Sequence, residues 1–114
     1  MNSKEYIKGT IKTIVLKLLC EKKKMYGYEI SQRVKLLSSG EIELTYGALY
    51  PILYKLQDEG LLTTESEIVD GRVRKYYSLT KEGNVTAKEK VAELTQFIEV
   101  IKAVISPSPS LSII

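Results

Sequence analysis

Between Thr45 and Thr80 the chain reads TYGALYPILYKLQDEGLLTTESEIVDGRVRKYYSLT, and its chemistry-bearing residues gather there. Leu49, Leu53 and Leu56, joined by Ile52, recur at helical spacing, which leaves Tyr46, Gly47, Tyr50, Tyr54 and Lys55 on the opposite face. Tyrosine hydroxyls and a lysine can bond phosphate oxygens or base edges, and an early glycine lets the backbone approach closely. Tyr50 is the tyrosine best placed to pack into the domain with only its hydroxyl outside. Arg72, Arg74 and Lys75 follow on a strand, where Arg72 and Arg74 share a face and can meet one phosphate backbone or a minor groove. Surface arginines on a hairpin can also serve solubility alone.

The residue types argue against catalysis. The chain has no histidine, a single cysteine, no carboxylates clustered on one expected face and no glycine-rich phosphate loop. No catalytic residue, metal ligand or cofactor is therefore assigned. Cys20 lies within a helical pattern and reads as a small filler residue.

These groups need a scaffold. Ile7, Ile11, Ile14, Val15, Leu18 and Leu19 predict a first helix over Tyr6 to Lys22, with Gly9 weakening it and Lys8, Lys12 and Lys17 on its solvated side. The Lys22-Lys23-Lys24 run either complements that helix's dipole or contacts phosphate. Met25-Tyr26-Gly27 is a break. A second helix is predicted from about Tyr28 to Leu37, closed by Ser38-Ser39-Gly40. Glu41 to Leu44 is either a short strand or an extended linker. Thr45 is the expected N-cap of a third helix reaching about Glu59, although Pro51 allows a later start or a bend. Leu61 to Val69 and Val73 to Leu79 alternate as paired strands around the Asp70-Gly71 turn. Three helices followed by a basic β-ribbon make the layout of a winged helix-turn-helix.

Thr80 is the expected cap of a last helix carrying Gly83 in its first turn. Its Ala87, Val91, Leu94, Ile98, Ile101 and Ile105 form a heptad seam, with Phe97, Val100 and Val104 beside it. One small domain cannot cover all of that apolar surface, so a second copy is expected. Phe97 reads as core; lining a small pocket with Tyr6 is the alternative. The chain divides into a winged-helix unit over 1–80, a dimerisation helix over 81–106 and a flexible tail over 107–114. The fold class is α+β, mainly α.

At 114 residues and a formal charge of +3, the chain is expected to form one soluble domain without a signal peptide or membrane span, and to reside in the cytoplasm. Charge placement matters more than its sum.

Four segments carry a resemblance: Met25-Tyr26-Gly27-Tyr28-Glu29-Ile30, Gly47-Ala48-Leu49-Tyr50-Pro51-Ile52-Leu53, Leu56 with Glu59-Gly60-Leu61-Leu62, and Arg74-Lys75-Tyr76-Tyr77-Ser78-Leu79-Thr80 with Gly83. In that order and spacing they resemble the PadR family of transcriptional regulators, in its compact subgroup. The resemblance runs from about Ile11 to Gly83. It implies a homodimeric winged-helix protein that binds double-stranded DNA, usually as a repressor. Thr45, Tyr46, Gly47, Tyr50, Tyr54 and Lys55 would be recognition-helix positions, Arg72, Arg74 and Lys75 wing positions, and Tyr28 would lie close to the DNA backbone. Pairing through the terminal helices would place Ile7 and Ile11 with Ala87, Val91, Leu94, Ile98, Ile101 and Ile105 at the interface, where a small-molecule effector could release the operator. Tyr54 and Lys55 depart from the charged residue and the arginine frequent in the family at these positions, and lysine lacks arginine's bidentate fork. The chain has no tryptophan, so the planar-drug sandwich of some relatives is not expected. The reading from another class is a winged helix that binds a protein rather than DNA.

Overall fold

The computed structural model describes residues 1–108; the apolar end of the expected tail, Leu111 to Ile114, lies outside the described residues. The first helix is in fact two. α1 (Lys4–Ile7) and α2 (Ile11–Glu21) are separated where Gly9 disfavours helix and where both the amide and the hydroxyl of Thr10 donate to the Ile7 carbonyl, each at 2.8 Å. α2 is the centre of the domain. Its Ile11, Val15, Leu16, Leu18 and Leu19 are all buried.

The break at Met25 hides a strand. β1 (Met25–Tyr26) pairs antiparallel with a later strand, aligning Met25 with Tyr77 and Tyr26 with Tyr76, so the expected two-stranded wing is a three-stranded sheet. α3 (Gly27–Leu37) starts directly after it, and the Tyr26 amide donates to Glu29 Oε1 at 3.2 Å. Glu29 also pairs with Lys22, which ties the ends of α2 and α3 together. Glu41 to Leu44 forms no strand. It is a loop that drops Leu44 into the core.

α4 (Tyr46–Asp58) begins at Thr45, whose Oγ1 accepts from the Ala48 amide at 3.2 Å. Pro51 lies inside the helix without ending it. Having no N–H, it leaves the Gly47 carbonyl without its usual helical donor. Leu49, Leu53 and Leu56 are fully buried against α2, Ile30 and Tyr77 in a single core. β2 (Leu62–Val69) and β3 (Arg72–Leu79) then form the ribbon, in sheet order β1-β3-β2. Asp70 (φ 52°) and Gly71 (φ 76°) both adopt left-handed backbone, as the tight two-residue turn requires.

α5 (Lys81–Ile105) is capped by Thr80, whose Oγ1 accepts from the Gly83 amide at 3.0 Å while its hydroxyl donates to the Gly60 carbonyl at 2.7 Å. Gly83 permits this junction, because a Cβ there would lie 2.0 Å from the Leu61 carbonyl oxygen. The first half of α5 packs along α2, with Ala87 fully buried and Val91 and Leu94 half-buried. From Thr95 to Ser108 every residue is exposed. Extents of 68 × 29 × 21 Å reflect this projecting rod, and the 17.2 Å radius of gyration exceeds the roughly 13 Å of a compact chain this long. No described helix is long and apolar enough to cross a membrane.

Candidate nucleic-acid interface

The outer face of α4 carries Thr45, Tyr46, Gly47, Tyr54 and Lys55, all exposed. Tyr50 is different. It is half-buried, its ring meets Tyr46 edge-on at 5.5 Å and lies 6.0 Å from Tyr54. Its hydroxyl lies over Gly27, where an added Cβ would come within 2.3 Å of it. Burial, with Tyr77, Tyr46 and Tyr54 nearby, holds the Tyr50 hydroxyl above its ordinary pKa. Tyr50 thus sets the distance between α4 and the start of α3. Tyr28 is half exposed at the start of α3, stacked on Tyr26 at 6.2 Å.

The ribbon has two faces. Leu62, Tyr77 and Leu79 point inward toward α4, and Lys75 shares their side, its ammonium 5.6 Å from the Tyr54 ring and 5.4 Å from Tyr77. Arg72, Arg74 and Tyr76 occupy the far side. Arg74 lies 4.2 Å from the centre of the Tyr26 ring, in cation–π geometry. Its neighbour Tyr76, then Tyr26 and Asp70, favour its charged form further. So of the three basic wing residues, only Lys75 joins the α4 side, and Arg74 is engaged within the protein.

The sequence reading overlooked the acidic strand. Glu67 aligns with Arg74 and Glu65 with Tyr76 on that far side, and Lys24 reaches both, pairing with Glu65 at 3.2 Å and with Glu67. The two carboxylates raise the Lys24 pKa. Over residues 62–79, Glu65, Glu67 and Asp70 balance Arg72, Arg74 and Lys75, so the ribbon carries no net charge. Alternation along β2 could have revealed this. Lys22 and Lys24 serve ion pairs within the domain, and Lys23 is exposed. Seven of the eight tyrosines, all but Tyr6, belong to these elements. Tyr77, the most buried of them, has a hydroxyl without a hydrogen-bond partner among the described residues.

The assigned pairing residues separate into two groups. Ile11 and Ala87 are already inside the protomer's own core and have no surface to offer a second copy, so both leave the set. Ile7, Val91 and Leu94 are half-buried, while Ile98, Ile101 and Ile105 are 48%, 39% and 75% exposed. Phe97, expected in the core, is 58% exposed on the same projecting half of α5. Cys20 is also exposed rather than a filler, its thiol 3.5 Å from Asn84 Oδ1.

Comparison with known proteins agrees with this fold. The chain is similar to a solved transcriptional regulator from Clostridium thermocellum, with a TM-score of 0.80 and 28% identity over 90% of this chain and 99% of that one. A PadR family transcriptional regulator from Eggerthella lenta matches with a TM-score of 0.74 and 28% identity, covering 91% of this chain and 88% of its own. A transcriptional regulator of Mycobacterium tuberculosis is 40% identical over 53 residues, 46% of this chain and half of that protein. The transcriptional regulator PadR-like family model matches residues 15–89, from the central helix through the wing into the first half of α5. The chain belongs to the PadR-like family of transcriptional regulators.

Proposed function

We propose that this protein is a sequence-specific DNA-binding repressor that acts as a homodimer on an inverted-repeat operator. The observation that carries this reading is the exposed face of α4, where Thr45, Tyr46, Gly47, Tyr54 and Lys55 stand clear of the core with Lys75 of the wing beside them. α4 would enter the major groove by its N-terminal turns, and Arg72 and Lys75 would neutralise flanking phosphates. Arg74 and Tyr50 would act indirectly, the first by bracing the ribbon on Tyr26 and the second by spacing α4 from α3. Binding of such a dimer over a promoter would block transcription.

Two copies would pair through the apolar surface of α5 beyond Leu94, bringing their recognition helices about 34 Å apart to meet successive major grooves. A groove of about 320 Å³ between α2, α3 and α5, lined by Ile14, Leu18, Val34, Leu37, Val91, Leu94 and Ile98, is continuous with that surface. A small apolar effector bound there would act on the dimer geometry.

Selection of bound duplexes from a random pool tests the reading directly. An enriched inverted repeat is the expected result; no enrichment would overturn it. With the selected duplex, Arg72→Ala combined with Lys75→Ala should lower affinity and reduce the salt slope by about two units, since each phosphate contact contributes roughly 0.9. Arg74→Ala should change the slope less than either substitution.

A further inference from the structure

One feature of the ribbon is unaccounted for by phosphate contacts. Ile68 and Val73 face each other across the strands immediately below the turn, and they are 79% and 74% exposed. They lie on the side shared with Lys75 and Tyr77, the side that looks toward α4. Nothing among the described residues covers them. β2 is moreover an outer strand of the sheet, where an exposed isoleucine invites unwanted strand pairing and is ordinarily replaced by a charged residue.

We infer that Ile68 and Val73 form an apolar wedge that enters the minor groove beside the major groove occupied by α4. The inference rests on the DNA-binding reading and deepens it. Reach supports it: Lys75 lies against Tyr54, and Val73 is two residues, roughly 6.6 Å, further out along the strand. The tip therefore projects past the recognition helix toward the neighbouring groove. Charge supports it as well. Lys75 follows Val73 on the same face and Arg72 adjoins it on the opposite one, so a cation lies on each side of the strand beside the apolar pair, where phosphates line a minor groove. Aliphatic side chains press against sugar edges and partly unstack base steps, which is easiest at flexible pyrimidine–purine steps. The wedge thus gives the protein a preference at base pairs that no polar side chain touches.

The test compares wild type with Ile68→Thr/Val73→Thr, which keeps β-branched residues and hence the strand while removing apolar surface. Both proteins are put through selection from a random duplex pool and then titrated on the wild-type winner at several salt concentrations. The double variant is expected to bind about tenfold more weakly, the scale of partly uncovering two aliphatic side chains. Its salt slope stays unchanged, because no phosphate contact is lost. It also loses any enrichment for TA or CA steps flanking the half-sites. Ile68→Val, which keeps most of the apolar surface, is expected to bind between wild type and the double variant, and its thermal unfolding checks that the hairpin tolerates change at this position.

Unchanged affinity and flanking preference in the double variant would overturn the wedge and reduce the pair to a hairpin contact. A change in oligomeric state would overturn it in favour of contact between copies. A wild type that enriches no sequence would remove the DNA-binding reading, and the wedge with it, which is a different result from a wild type that binds and a variant that binds equally well.

Discussion

Along α5 a single apolar periodicity meets two environments. From Lys81 to Leu94 the helix lies on α2, with Gly83 pressed against the Leu61 carbonyl and Ala87 sealed in the core. From Thr95 to Ile105 the same spacing of isoleucines and valines continues with every residue exposed. Gly83 and Ala87 mark the packed half, and Phe97, Ile98 and Ile101 the projecting one. Small side chains let two helices of one chain approach closely; large ones present surface that a second body must cover. The difference separates what makes this chain fold from what would support the proposed pairing of two copies.

That separation can be broken from either side. The largest effect is expected from Ile98→Asp with Ile101→Asp, which places two carboxylates in the free half. Sedimentation should show monomers, and affinity for a two-half-site duplex should fall about a hundredfold or more as avidity is lost. A wild type that sediments as a monomer would show that the exposed half is not a pairing surface. In the packed half, Gly83→Ala should cost about 2 kcal/mol, because the backbone it would strike cannot rotate away as a side chain could. Thermal unfolding reads this as a drop of several degrees, with oligomeric state unchanged. A Gly83→Ala protein that dissociates at full folded stability would mean the two halves are not separable.

The smallest effect sharpens the contrast by staying inside the protomer. Tyr77→Phe removes a buried hydroxyl that has no partner among the described residues, so stability should be unchanged or rise by up to about 1 kcal/mol. The pH dependence distinguishes the two proteins more clearly. Burial, with Tyr54 adding to it, raises the Tyr77 pKa above the ordinary tyrosine value. The folded chain therefore holds this proton more tightly than the unfolded one. The corresponding stability is complete below about pH 10 and drains away as pH rises beyond it. Tyr77→Phe should flatten that alkaline decline in denaturant titrations, leaving assembly untouched.

Much of the architecture was legible because its elements are long enough to show a period. The α4 helix, the ribbon and α5 follow from Leu49-Leu53-Leu56, from the alternation around Asp70-Gly71 and from the heptad. What escaped is short or relational. A strand of two residues, Met25–Tyr26, has no period to read, and it exists only because β3 lies beside it. The apolar spacing of Ile7, Ile11 and Ile14 continues across the break at Thr10, so the pattern concealed the split into α1 and α2. A heptad records burial without recording by whom, and Ala87 and Ile98 looked alike for that reason.

The candidate site shows the same limit. Arg72 and Arg74 share a strand face, as their spacing indicated, yet the partners of the basic residues left no such mark. Tyr26 and Glu67, which engage Arg74 and Lys24, come from elements far apart in sequence. Tyr50 stood apart from Tyr46 and Tyr54 as a packing residue, but the element it packs on, the α3 start at Gly27, left no mark in its spacing.

The Asp70-Gly71 turn has a consequence for how the wing can vary. Its two left-handed residues clasp the strands so that Ile68 opposes Val73 and every inward side chain keeps its side down to Leu62 and Leu79. Adding one residue to each strand below the turn would lengthen the ribbon by about 3.3 Å and leave the older pairs in place. Adding one residue alone would force a bulge or shift the tip out of alignment. Insertions in this wing are therefore distinguished by balance: matched ones just below the turn extend its reach, and unmatched ones change which side chains it presents.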